Sequence, residues 1–462
     1  MSRSIVILLL LIISVGLPAQ PVGDDYYDFL RHNNLKAKAF RDSRRQEFGE
    51  FLRRTWHAEP ESSPKEDPFK RGDAGRPKGD VLRDDPLPIE DAVVQKSIPP
   101  TEETGSEGVH TFHFYGRTYK VRYDRTSDLL LNSISEEDVA SAWDALSIGS
   151  AQLVGDCTSI KEQAALCDWA YLQLVDSLSR SIYPVLENER ELLFGFIMGM
   201  SGFNVRFGRT EDELICLYGT KQTIYSRPFF RKDEADFFRH REGTGSLVLS
   251  DLVPGETRPL DLELKQYPEF AVGRESVRHI KSGSIEFDYR ISADQLAFLA
   301  SYPHTEMHIK ADAPAGEAIR NTVYPALASA IYGKGQIEAA NIILAFVQGL
   351  MKYQTDGQRW GYEKWNFPAE SFYYLCGDCD DHAILFARLI RDLLDLDVLL
   401  VECNVNGMPH AATAVRFTEP LSGDTILYNG AIYYCCEPTS NVGKVGQRQW
   451  EDYVVKRLDK VK

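Results

Sequence analysis

One stretch constrains this chain more than any other: Gly377-Asp-Cys-Asp-Asp-His-Ala383, running on into Ile-Leu-Phe-Ala-Arg-Leu-Ile390. From Cys379 the residues Ala383, Phe386, Ala387 and Ile390 follow at four, seven, eight and eleven positions, the spacing of a helix with one face in a core. Asp378 and Asp381 have N-cap and N3 spacing, so the helix is expected to open at the cysteine. A sulfur in that place meets unpaired backbone N–H groups and the positive end of the helix dipole. Both favour a thiolate, and the same N–H groups can later hold an oxyanion. The carboxylates of Asp378, Asp380 and Asp381 oppose it, so a cationic neighbour has to be delivered by another element.

Two later positions supply candidates. His410 opens the run Ala411-Ala-Thr-Ala-Val415, which reads as a strand after the tight connection Asn406-Gly-Met-Pro409. Tyr433, Cys435 and Glu437 share one face of the next strand by period-two alternation, so Glu437 can orient the imidazole. Helix, strand, strand in the order Cys379, His410, Glu437 gives an α+β domain with a helix on an antiparallel sheet.

These residues resemble the transglutaminase-like superfamily, in particular its bacterial exported branch of transglutaminase-like cysteine proteases. The resemblance covers roughly residues 330 to 440 and rests on Phe346-Val-Gln-Gly-Leu-Met-Lys-Tyr353, Trp365-Asn-Phe-Pro-Ala-Glu370, Gly377-Asp-Cys-Asp-Asp-His-Ala383, His410-Ala411 and Glu437-Pro-Thr439. It implies a papain/transglutaminase-like fold with Cys379 as nucleophile, His410 as base and Glu437 as orienting acid, where the family usually carries Asp. It also implies acyl transfer through a thioester on a protein or peptide substrate, with protease or deamidase chemistry ahead of cross-linking and with no cofactor or metal. Trp365 or Asn366, in the preceding loop, is the candidate for a second oxyanion donor.

Upstream, alternation over Phe112–Tyr123 predicts a hairpin, Ser135-Glu-Glu-Asp138 a capped helix start, and Ile160 to Leu178 an amphipathic helix. The helix within 188–202 passes into strands at Val205 and at 214–218. That unit lies on the one after Cys379 by a gapless shift of 193 positions: Leu193, Phe196, Ile197, Met200 and Val205 then face Phe386, Leu389, Ile390, Leu393 and Val398. At the cysteine's place stands Leu186, and at the histidine's Leu217. Residues 106–244 are therefore expected to be a second α+β region and a degenerate copy of the domain at 315–462, with a strand-rich connector at 245–314.

At the N-terminus, Arg3, the apolar run 5–13 and Gly16-Leu-Pro-Ala-Gln20 fit a secretory signal over 1–20, too short to span a bilayer. Export to the periplasm or exterior is expected, followed by an amphipathic helical segment at 21–58 and a Pro- and charge-rich disordered linker at 59–105. A formal charge of −16 and the absence of a basic stripe argue against nucleic-acid partners, and no other run reaches membrane length. Two further classes fit the cysteines: Cys376-Gly-Asp-Cys379 has the spacing of thiol–disulfide exchange, and Cys376, Cys379, Cys435 and Cys436 are enough thiols for a zinc site. A binding or scaffold protein that keeps the fold without turnover is the third alternative.

Overall fold

The computed structural model describes residues 49–54, 56–67, 108–123, 129–251, 257–270, 275–440, 442–449 and 452–462. The expected signal segment 1–20, residues 21–48 of the helical segment and residues 68–105 of the linker lie outside them. Among the described residues no helix is long and apolar enough to cross a membrane.

The first half begins with a short strand, β1 (His57–Glu59), and a hairpin, β2 (Val109–Phe114) with β3 (Arg117–Arg122). Four helices follow: α1 (Glu136–Gly149), α2 (Ala151–Gln163), α3 (Asp168–Ile182) and α4 (Glu187–Met200). Ser135 caps α1 by accepting from the Asp138 N–H at 3.2 Å, as its spacing predicts. The single helix expected over 160–178 is instead two. Ala165 adopts a left-handed φ of 49°, and Asp168 restarts the chain under the Arg258 guanidinium and the Asp261 N–H. Then come β4 (Val205–Arg209), β5 (Leu214–Gly219), β6 (Phe230–Lys232), β7 (Ala235–Arg239) and β8 (Leu247–Leu249), in a sheet of order β1-β8-β4-β5-β7-β6.

Two boundaries move. Residues 59–67, expected in the linker, are ordered: β1 pairs with β8, Ser62 bridges Phe229, and the Ser226 N–H donates to Lys65 O at 2.9 Å. Nor is 245–314 a connector of strands alone. Its β8 closes the first sheet, its hairpin β9 (Glu275–Ser282) with β10 (Ile285–Ser292) packs on the second half, and it holds the helices α5 (Ala293–Ala300) and α6 (Met307–Ala311).

The second half continues through a π-helical turn at Ile319–Val323 into α7 (Tyr324–Ile331) and α8 (Gln336–Leu350). A parallel pair, β11 (Lys352–Tyr353) with β12 (Cys376–Gly377), brackets α9 (Asp356–Arg359) and α10 (Pro368–Tyr374). The central helix α11 (Cys379–Leu394) follows at once. Its apolar face is enclosed between α8 and the sheet, and Ala383, Phe386, Ala387 and Ile390 are all fully buried. Truncating Phe386 alone would cost about 3–5 kcal/mol. The sheet is β13 (Val398–Val405), β14 (Met408–Val415), β15 (Thr425–Tyr428), β16 (Ala431–Cys436) and β17 (Tyr453–Lys460), in the order β15-β16-β14-β13-β17. Asn406 and Gly407, both at positive φ, make the two-residue turn that fixes the β13–β14 register.

Candidate active site

The site forms where α11 meets the sheet. Asp378 caps the helix through the Asp380 N–H, and Cys379 is its first residue, fully buried. The Ala411 N–H of β14 donates to Cys379 Sγ at 3.0 Å, so the sulfur lies against the residue that follows His410. β16 ends at Cys436, and just past it Glu437 Oε2 lies 2.7 Å from His410 Nε2. Tyr433 and Cys435 pack on the side of the sheet away from α11, with Ala412 and with Cys403, the strand partner of His410.

Glu437 is held as firmly as it holds. Its Oε1 accepts the Thr439 N–H at 2.9 Å, and its own carbonyl accepts Gln348 Nε2 of α8 at 2.9 Å. Burial opposes ionisation of this carboxyl, but His410 and the Thr439 N–H outweigh it and leave the pKa below the usual value. Glu437 is thus an anion facing His410 Nε2, which favours the tautomer that carries its proton on that nitrogen.

Asp381 is a structural carboxyl. Its two oxygens accept the Asn366 N–H at 2.7 Å and Asn366 Nδ2 at 2.9 Å, tying the Trp365–Asn366 loop to the first turn of α11. Burial first, and then Asp378, raise its pKa well above the ordinary carboxyl range. A Cβ on Gly377 would fall 2.3 Å from Asp381 Oδ2, so glycine is required for that approach. Asn366, one of the two candidates for an oxyanion donor, has both its backbone N–H and its side-chain amide engaged by Asp381. Trp365 turns its ring edge-on to His304 at 4.6 Å.

Asp380 is the acid that touches the sulfur: Cys379 Sγ–H donates to its Oδ1 at 3.3 Å. The sulfur therefore has a donor that favours the thiolate and a carboxylate that opposes it. Three more buried acids surround the site and were not anticipated. Burial pushes Asp356 up to about 10, with Asp378 and Asp381 adding to it, and pushes Glu402, the β13 partner of Ala411, up to about 8. Glu370 is fully buried and pairs with Lys364 Nζ at 2.7 Å. No periodic signal marks these acids, because Asp356 and Glu370 sit in helices too short to show a period and Glu402 on a strand that reads as plain apolar sheet.

The eight cysteines are free thiols. Burial raises Cys376 and Cys435 to about 11 and Cys436 further, the opposite of what thiol–disulfide exchange asks of an attacking thiol. Among the described residues no group of three or more His, Cys, Asp or Glu converges as a metal site. A scan against protein-family models returns no match for this chain, and a search of curated proteins returns none.

Proposed function

We propose that this protein is a thiol acyl-transfer enzyme of transglutaminase-like character, exported, and acting on peptide or glutamine carboxamide bonds. The single observation that carries the reading is the joint placement of Cys379 Sγ on the Ala411 N–H and of His410 Nε2 on Glu437 Oε2. His410 Nδ1 takes the thiol proton and Sγ adds to the carbonyl carbon. The C–N bond breaks as the imidazolium returns that proton to the leaving amine. Water, deprotonated by the same nitrogen, then splits the thioester into acid and thiol. The positive end of the α11 dipole favours the developing oxyanion.

The test is labelling of the purified protein with a thiol-directed electrophile between pH 5 and 9 (roughly the range over which an imidazole and a thiol titrate). Labelling of Cys379 is expected to be fast near neutrality, absent in Cys379→Ala and slower by roughly 100-fold in His410→Ala. One observation favours a second reading, a scaffold without turnover: the sulfur is fully enclosed and its proton rests on Asp380. Slow labelling, equal in wild type and His410→Ala, selects that scaffold.

A further inference from the structure

A cavity of about 570 Å³, walled in part by Trp365, lies at the junction of the two halves. Its floor includes Lys310 of α6, which is 4% exposed. The ammonium has aromatic faces around it: Nζ lies 3.9 Å from the Phe367 ring centre and 4.8 Å from that of Tyr302. The carboxylate nearest by charge is Glu370, and both of its oxygens are engaged, one by Lys364 Nζ at 2.7 Å and the other by the Phe367 N–H at 3.0 Å. Among the described residues, Lys310 Nζ has no hydrogen-bond or ion-pair partner.

The rest of the wall sharpens the imbalance. Lys364 and Arg227 line the same cavity, and the guanidinium of Arg227 is bound by neutral groups, Tyr218 Oη at 3.2 Å and Arg239 O at 3.3 Å. Lys364 is matched by Glu370 behind the wall, which leaves Lys310 and Arg227 facing a lining with a single carboxylate, Glu363. A cationic, aromatic-walled cavity in a chain of formal charge −16 runs against the overall field, and leaving an ammonium buried beside aromatic rings costs stability unless an anion completes it.

We propose that this cavity is a subsite for a carboxylate-bearing ligand, with the carboxylate on Lys310 and an apolar side chain between Tyr302 and Trp365. Resting on the acyl-transfer reading, the subsite receives the residue flanking the bond that Cys379 attacks, because Trp365 belongs both to the cavity wall and to the loop that Asp381 anchors at the nucleophile's helix turn. The enzyme then prefers peptides with a carboxylate next to the cleaved amide, supplied by an acidic side chain or by a free C-terminus.

Binding separates this inference from the chemistry. Calorimetric titration of the full chain carrying Cys379→Ala uses three blocked peptides: one ending in phenylalanine as the free acid, the same peptide as its C-terminal amide, and an amidated peptide with an internal glutamate before phenylalanine. Either acid is expected to bind roughly 10- to 100-fold more tightly than the plain amide, the range for one charge-assisted hydrogen bond, and whichever acid wins names the carboxylate's source. Lys310→Met, which keeps the shape without the charge, is expected to erase the difference.

Proton linkage adds a signature. Burial lowers Lys310 to about 7, with Glu370 pulling it back up, Lys364 pushing it down and Asp381 raising it. A carboxylate seated on Lys310 restores the ammonium, so binding at pH 8 takes up close to one proton in wild type and none in Lys310→Met. Equal binding of acid and amide, unchanged preference in Lys310→Met, or no saturation by any of the three overturns the subsite. If Cys379 proves unreactive while the acids still bind through Lys310, the acyl-transfer reading fails and the carboxylate site stands.

Discussion

The two halves of this molecule run through the same course with different chemistry at the end. In each, a hairpin leads into a helix capped by serine, Ser135 in one and Ser292 in the other. A long helix then packs on a central one, α3 on α4 and α8 on α11, and five strands follow in the order β8-β4-β5-β7-β6 or β17-β13-β14-β16-β15. Fifth, first, second, fourth and third strand lie side by side in both sheets, and every pairing is antiparallel. Such a match of order and sense supports a duplication far better than the helix alignment alone.

The difference lies in three places. Cys379 corresponds to Leu186 by the shift of 193. In the sheets, Val398 pairs with Val415 seventeen positions on, but Val205 pairs with Tyr218 only thirteen on, so the first hairpin closes four residues sooner. By register the place of His410 then falls to Glu213, in the turn, rather than to Leu217. The place of Glu437 falls to Arg241, whose guanidinium pairs with Glu187 at 2.5 Å and with Glu213 at 3.3 Å. The same three corners that hold a thiol, an imidazole and an acid in one half hold a leucine and a surface ion-pair cluster in the other.

The largest expected contrast is therefore chemical. Glu437→Gln removes the anion that fixes the His410 tautomer and is expected to lower acylation by roughly 100- to 10,000-fold, measured with a chromogenic or amide substrate. Arg241→Gln, at the corresponding place, is expected to leave that rate unchanged and to cost about 1 kcal/mol in thermal stability, since the guanidinium is largely covered while both its carboxylate partners reach water. Comparable losses of rate in the two variants would break the comparison.

Next comes stability. Asp381 and Asn188 occupy the same helix position, and each ties a neighbouring segment: Asp381 holds Asn366, while Asn188 accepts the Leu214 N–H at 2.8 Å and donates to Asp212 O at 3.0 Å. Asp381→Ala strands the buried N–H of Asn366 and is expected to cost about 3 kcal/mol in urea unfolding, whereas Asn188→Ala, open to water, is expected to cost about 1 kcal/mol.

What was legible follows from where side chains face. The nucleophile helix announced itself because burial at Ala383, Phe386 and Ile390 recurs with helical period. The cysteine, histidine and glutamate were legible because short motifs sit at the ends of those periodic elements. The break at Ala165 was not legible, since a left-handed alanine carries no sequence mark and Asp168 is set by Arg258, ninety positions away. Nor was the connector, because its strands are assigned to one half or the other by pairing alone. The acids around Cys379 were visible as residues, but whether each carries charge depends on packing that only the assembled loop defines.

One ion pair in each half responds to pH with opposite sign. In the first, His240 lies 2.8 Å from Glu191 and 3.2 Å from Asp176; burial opposes its charge, yet the two carboxylates raise it to about 9. A raised folded-state pKa contributes stability that is complete below the ordinary value of 6.5 and is lost as pH rises through 9. In the second, the depressed Glu437 contributes stability that is present above the ordinary carboxyl value and lost as pH falls through its own. Hydrogen exchange should show β5 and β7 loosening by about 2 kcal/mol between pH 6.5 and 9, and His240→Gln should flatten that slope without touching the acid limb. An unchanged slope in His240→Gln would contradict the assignment.

The smallest effect sharpens the comparison at the sulfur itself. Asp380 corresponds to Glu187, an acid that the first half neutralises with Arg241. In the second half the place of Arg241 belongs to Glu437, another acid, so the carboxylate of Asp380 acts on Cys379 Sγ at 3.3 Å with no cation from that position. Removing its charge in Asp380→Asn, which keeps the shape and an acceptor, is expected to lower the thiol pKa by about one unit and to speed labelling near pH 7 up to roughly tenfold. The gain should vanish above the thiol pKa, where both proteins are thiolates. Slower labelling in Asp380→Asn would instead make Asp380 a carrier of the thiol proton, and the brake on the nucleophile would have to be sought in Glu402.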